Sequence, residues 1–311
     1  MKIVLGVLVL LLSPCLAQAG SPVADPSVDN PKVLEALKQG MQRLEREEYR
    51  AAASEFKRAA KLADGPCGPC LLGLARAYNG KGDGKKAAEA ARSAIPLIDR
   101  PDALAQAYNE LGAALAEEKS LAQAEEAFRK SLELGPPSPG TVRANLAGVL
   151  LRSGRHAEAL DLARESLSAG PPSTNARIVV CEAKRELGTP YTEPALPPPT
   201  ERCVPDQRLR LTSGATAPAV GTTPPRKIFG QMPKPAPMPS GSVSTESMLD
   251  AVIDEDGCVR DIRICKGGEE GFDRAVREAI SRWVFEPATV DGKPISVYYT
   301  ITTTRTAVGS N

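Results

Sequence analysis

The sequence predicts a multidomain chain: an all-α solenoid of paired helices, then a proline-rich linker, then a small α+β unit of ββαβ order. Three observations predict it. Small and aromatic residues recur at a spacing of 35 to 37 residues through the first half. Proline dominates the composition between residues 189 and 240. Two runs of strand-type alternation, one helical apolar stripe and a third alternating run then fill residues 241–311.

The N-terminus, residues 1–19, reads as a secretory signal. Lys2 supplies the charge, Ile3 to Leu12 is unbroken apolar chain, and Ala17-Gln18-Ala19 is a small-x-small cleavage site. Ten apolar residues rise about 15 Å as a helix, half of the ~30 Å hydrocarbon core, so an uncleaved anchor is the lesser reading. A lipoprotein reading through Cys15 is weakened by Pro14. Cleavage leaves Cys67, Cys70, Cys181, Cys203, Cys258 and Cys265. An even number in an exported chain favours disulfides, and the expected compartment is the periplasm.

Charge excludes some partners. The 39 basic and 38 acidic residues leave a formal net charge of +1, which is no footprint for nucleic acid or an anionic membrane.

Residues 31–188 carry the helical repeats. Leu111-Gly112, Leu115, Ala124, Phe128 and Pro136 recur as Leu74-Ala75, Tyr78, Ala87, Ala91 and Pro101, and again as Leu146-Ala147, Leu150, Ala159, Ala163 and Pro171. A degenerate first copy has Gly40, Ala52, Phe56 and Ala59. Small residues let the two helices of a unit approach, and the aromatic fills the gap. No unit buries its face alone, so the units stack. Ser173 to Leu187 reads as a capping helix, with Ser173 or Thr174 at its start, Gly188 at its end and Pro190 beyond. The spacing and anchors resemble tetratricopeptide repeats. That resemblance implies a concave protein-binding face including Arg76, Asn79, Gln106, Asn109 and Arg152, weighed against plain solvated positions.

Residues 189–240 read as an extended spacer with polyproline II character, from Pro197-Pro198-Pro199 to Met232-Pro233-Lys234-Pro235. At ~3.1 Å per residue it could reach on the order of 150 Å.

The last unit starts with a strand from Met248 to Asp254, an acidic turn at Asp254-Glu255-Asp256-Gly257, and a second strand from Cys258 to Cys265. Phe272, Ala275, Val276, Ala279, Ile280 and Trp283 then form one helical stripe. Pro287 ends it, and Ile295 to Thr304 is the third strand. The acidic turn is expected to be solvated. The hairpin, the Trp283-x-Phe285-x-Pro287-Ala288 ending and Gly292-Lys293-Pro294 resemble the C-terminal domain of TonB, over roughly residues 240–306. The resemblance implies strand addition: an extended partner segment pairs with the edge near the last strand, at Ile295, Val297, Tyr298, Tyr299 and Ile301. A sheet that only completes itself, or dimerises, is the competing reading. The family's energised members keep an N-terminal membrane helix with a Ser/His signature; here that region has no histidine.

Candidate chemistry is sparse. Cys67-Gly68-Pro69-Cys70 has the spacing of a thiol–disulfide site, but Asp64-Gly65-Pro66 precedes it where a redox fold has a strand. Disulfide candidates are Cys67, Cys70, Cys181 and Cys203, with a Cys181–Cys203 bond as one guess. Cys258 and Cys265 stand about 23 Å apart if their strand is regular, so they do not pair with each other. His156, the chain's only histidine, reads as a loop residue between two helices. No catalytic residue, metal site or cofactor is expected, and no small-molecule substrate. The expected function is a non-enzymatic periplasmic adaptor: the repeats bind a protein, the linker gives reach, and the end docks on an outer-membrane or envelope partner, possibly a TonB-dependent transporter. The alternatives are a thiol–disulfide protein using Cys67 and Cys70, and an envelope scaffold whose terminal sheet dimerises.

Overall fold

A computed structural model describes residues 30–169, 173–188, 222–231, 244–267 and 270–306. The predicted signal, Cys203 and most of the proline-rich stretch lie outside the described residues.

Four antiparallel helix pairs stack in order: α1 (Pro31–Glu45) with α2 (Tyr49–Leu62), α3 (Gly68–Lys81) with α4 (Gly84–Ala94), α5 (Pro101–Glu117) with α6 (Leu121–Glu133), and α7 (Pro139–Arg152) with α8 (His156–Ser168). A capping helix, α9 (Thr174–Glu186), packs on α7 and α8. Local chemistry fixes the ends. Asn30, Asp83 and Ser173 each accept a hydrogen bond from the first turn of their helix. Gly82 supplies the left-handed residue after α3, at φ 75°.

The small-residue anchors work as expected. A Cβ on Gly112 would lie 2.8 Å from the Phe128 ring, and one on Gly73 would lie 2.4 Å from Phe56. Phe128 therefore fills the gap inside its own pair, whereas Phe56 reaches Gly40 of its own pair and Gly73 of the next. Two serines that were not singled out also tie the array. Ser131 Oγ donates to the Ala105 carbonyl and Ser166 Oγ to the Gly140 carbonyl, both at 2.7 Å. They sit at corresponding positions of successive repeats. His156 is the first residue of α8 rather than a loop residue.

The C-terminal unit is larger than the sequence reading. Its main sheet is antiparallel in the order β4-β3-β8, from β3 (Ser244–Ile253), β4 (Val259–Lys266) and β8 (Val297–Thr306). Helix α10 (Glu270–Ser281) lies across it, and Leu249, Ala251, Ile253, Val276, Ile280, Trp283 and Phe285 form the core between them. The helix ends at Ser281, so Trp283 lies past it in a turn closed by its own N–H to the Ile280 carbonyl. Next come β5 (Val284–Glu286), β6 (Ala288–Val290) and β7 (Lys293–Ile295). The third predicted strand is thus two strands, β7 and β8, divided at Ser296.

Residues 222–231, assigned by composition to the linker, belong to this unit. Strand β1 (Thr222–Thr223) pairs with β6, and β2 (Arg226–Phe229) pairs with β5. Arg226 grips Glu286 across that ladder at 2.8 Å, and the Lys227 ammonium lies 3.9 Å from the centre of the Trp283 ring. Strand β3 is central and buried on both faces, since Met248, Asp250 and Val252 are as hidden as their neighbours.

Candidate functional site

The described residues hold two candidate docking surfaces and, between them, a joint.

The first surface is the face lined by α3, α5 and α7. Arg76 Nε donates to Glu110 Oε1 at 3.3 Å, and Arg76 also contacts Gln106. Asn79 Nδ2 donates to the Glu110 carbonyl and to its carboxylate, at 2.9 and 2.8 Å. Asn145 donates to Asn109 Oδ1 at 3.2 Å, and Arg152 to the Ala116 carbonyl at 2.7 Å. All five predicted residues therefore engage the neighbouring repeat. Glu110 and Asn145, not foreseen, are the groups that connect them. The Asn79 side-chain oxygen stays buried without a hydrogen-bond partner, an acceptor facing the ladder with no donor met.

The second surface is the edge of β8. Among the described residues this strand pairs with β3 on one side, in unbroken register from Ser244↔Thr306 to Ile253↔Val297, and with no strand on the other. Side chains divide from backbone here. Val297 and Ile301 are core residues, and Ile295 and Tyr299 pack on that core, Tyr299 edge-on to Phe285 at 5.7 Å between ring centres. What the edge offers a partner is main chain, not these side chains. Thr300 turns the other way and donates to Asp250 at 2.6 Å.

The joint is where the sequence reading is corrected most. Asp254, at the end of the β3–β4 hairpin, is 2 % exposed. Its Oδ1 accepts the N–H groups of Asp256 and Cys258, at 3.1 and 2.9 Å. Its Oδ2 accepts from Lys184 of α9 at 2.7 Å and from Arg260 at 3.4 Å. Asp256 takes Lys184 at 2.8 Å and Arg164 of α8 at 3.1 Å, and its carbonyl takes Arg177 at 3.3 Å. The turn read as solvated is thus seated on the repeat array. Burial works against the charge on Asp256, but hydrogen bonds and charge from Lys184 and Arg164 outweigh it and hold the carboxyl below its usual range. Gly257 makes the turn possible. Its φ is 89°, and a Cβ there would lie 1.9 Å from the Phe285 carbonyl oxygen.

A disulfide completes the joint. Cys181 of α9 bonds Cys258, not Cys203, with Cα atoms 5.3 Å apart. Around it Val179, Val180, Cys181, Ala183, Cys258 and Val284 share one apolar cluster, with Ile228 packed against it. The repeat core therefore takes in Cys258 and Val284 of the C-terminal unit, beside the sheet's own separate core. The bond joins the last helix of the repeats to the C-terminal unit across 77 residues of sequence. Cys265 is also disulfide-bonded.

The second described disulfide is Cys67–Cys70, at the start of α3. Cys67 caps that helix, its sulfur accepting from the Cys70 N–H at 3.2 Å. Both cysteines are buried with Val33, Ala36 and Ala59. The bond is local to the first turn of α3, packed against α1 and α2 and screened from a redox partner.

The fold and both surfaces define a helical-repeat array that carries a small sheet domain. Comparison with known families makes this specific. Tetratricopeptide-repeat models match residues 37–103 and 103–170, and the Gram-negative bacterial TonB protein C-terminal model matches residues 243–304. The chain is a fusion of tetratricopeptide repeats with a TonB C-terminal domain. No curated protein matches it. Among solved structures it is similar to MamA protein, at 21 % identity over 50 % of this chain and 83 % of that one, with a TM-score of 0.41. It is similar also to PilW, described as a widely conserved type IV pilus biogenesis factor, at 24 % identity over 51 % and 71 %, with a TM-score of 0.45. No helix among the described residues is long and apolar enough to cross a membrane.

Proposed function

We propose that the chain is a non-enzymatic adaptor of the Gram-negative periplasm. The repeats hold one protein on the face lined by Arg76, Asn79, Gln106, Asn109 and Arg152. The TonB-type domain takes an extended segment of an outer-membrane or envelope partner, such as a TonB-dependent transporter, by strand addition at β8. The observation that carries this reading is the one-sided pairing of β8 among the described residues. A main-chain edge recognises any extended segment, with pockets selecting its side chains. A buried Cys67–Cys70 staple speaks against a thiol–disulfide enzyme. Disulfides in the chain fit an oxidising compartment.

The test places a photo-activatable residue at Thr300 of the full chain and irradiates intact envelopes. Adducts to another envelope protein, absent with the probe at Glu89 on the repeats, support docking at β8. Adducts only to a second copy of the chain replace docking by dimerisation, and no adduct removes the edge from the proposal.

A further inference from the structure

We infer that the contact between α9 and the β3–β4 turn is a thiol-controlled latch, which fixes the C-terminal domain to the repeats while Cys181–Cys258 is closed and releases it to the span of the intervening chain when a dithiol opens that bond. The inference does not depend on the adaptor reading. It rests on three features at one place.

The bond is a cross-link between units, not within one. Cys181 lies on the last helix of the array and Cys258 opens the second strand of the sheet domain, 77 residues on. The 33 residues between Gly188 and Thr222 form the connection that remains once every disulfide is open. At ~3.1 Å per extended residue they allow tens of ångströms of separation.

Both cysteines are hidden, at 3 % and 2 % exposure, so a reductant cannot reach them in the closed state. Val179, Val180, Ala183 and Val284 pack around them, and the seated turn holds that packing closed. Lys184 holds Asp254 and Asp256, Arg164 holds Asp256, and Arg177 holds the Asp256 carbonyl. These polar contacts are the gate and the disulfide is the bolt. Breaking the contacts exposes the sulfurs, and breaking the bond then lets the turn leave.

The reductant class is a molecule with two neighbouring thiols. One thiolate attacks a sulfur of the bond, forming a mixed disulfide and releasing the other cysteine, which takes a proton. The second thiol displaces the first. The reductant departs as a disulfide, and both cysteines end as thiols, two electrons and two protons richer.

The experiment uses the purified full chain and dithiothreitol. Timed reduction followed by alkylation and peptide mass analysis gives the rate at Cys181–Cys258, with Cys67–Cys70 as internal reference. Lys184→Met is expected to raise the first rate at least tenfold and leave the second unchanged. Small-angle scattering is expected to show a maximum dimension longer by tens of ångströms after full reduction and alkylation, and longer by a smaller amount in Cys258→Ser without reductant, where the bond at Cys265 stays closed. If Cys258→Ser does not fold, the reduced and alkylated native chain gives the same reading. Scattering that stays the same once the bond is fully open overturns the latch. So does a Lys184→Met rate equal to the native one.

Discussion

Lys184 on the capping helix places its ammonium 2.7 Å from Asp254 Oδ2 and 2.8 Å from Asp256 Oδ2, across 70 and 72 residues of sequence. Lys184 is 7 % exposed and Asp254 2 %, so the lysine and its nearer partner have left water together. A buried pair of this kind adds little net stability over an apolar substitute, yet losing one partner strands the other charge. The Asp254 carboxylate keeps two backbone donors and Arg260, which lessens the loss.

Lys184→Ala is therefore expected to destabilise the joint by about 3–5 kcal/mol, the usual range for a stranded buried charge, with the low end favoured by those remaining donors. Thermal unfolding of the full chain checks it. The double variant Lys184→Met with Asp254→Leu should recover part of the loss on Lys184, because the buried Asp254 carboxylate goes with its nearest cation, although Arg260 then loses its partner. Asp254 also organises the turn, so recovery stays incomplete.

Acid should loosen the joint from the Asp256 side. Its folded carboxyl sits below its usual range, because Lys184 and Arg164 outweigh burial. A carboxyl with a depressed folded value contributes stability above its unfolded value, about 3.9, and loses it as pH falls through the lower folded value. Amide exchange in residues 254–260 is expected to stay slow from neutral pH down to about 4 and to quicken below that, once corrected for intrinsic pH dependence. Asp256→Asn should weaken the joint at neutral pH and flatten this acid response.

The repeats were legible because their physics is local. Gly112 against Phe128 and the helix caps at Asn30 and Ser173 depend on residues within one or two turns or one repeat, so periodicity reveals them. The joint was not legible for the opposite reason. An acidic Asp-x-Asp-Gly turn has the same sequence whether solvated or seated on a helix, and Lys184 is remote from it. Strands β1 and β2 were hidden by proline-rich surroundings, since their partners β6 and β5 come 55 to 68 residues later. One signal was present. Ile178-Val179-Val180-Cys181 puts four consecutive apolar residues on α9, more than the array can cover on one side. A helical turn apolar nearly all round needs a second covering surface, and the sheet domain provides it. For the candidate sites, residue types on α3, α5 and α7 were found by family pattern, but Glu110 was missed because its role is to receive Arg76 and Asn79 from the preceding repeat.

Phe128→Ala tests the packing of the array. The ring is 1 % exposed and lies against Gly112. Removing it leaves a cavity that neighbouring alanines are too short to fill, so a cost of about 3–5 kcal/mol is expected. Helical circular dichroism during thermal unfolding reads it. Gly112→Ala added to Phe128→Ala should restore a fraction, because the new methyl enters the vacated space without meeting the ring.

The shared apolar cluster and the disulfide together imply that the two units unfold as one. Trp283, the only tryptophan, lies in the sheet domain, whereas the helical signal comes mainly from the repeats, so two probes follow the two units separately. In the native chain the transitions by tryptophan fluorescence and by helical dichroism are expected to coincide. Ile301→Ala, a core truncation in β8 expected to cost about 2–5 kcal/mol, should then lower both midpoints, although Ile301 touches no repeat helix. Cutting the bond with Cys258→Ser removes the covalent part of the coupling and constrains the unfolded chain less. In that background the same Ile301→Ala change should lower the tryptophan midpoint and leave the helical one in place. Coincident shifts in both backgrounds would mean that the apolar contact alone couples the units. Separate transitions in the native chain would mean that neither the cluster nor the bond does so.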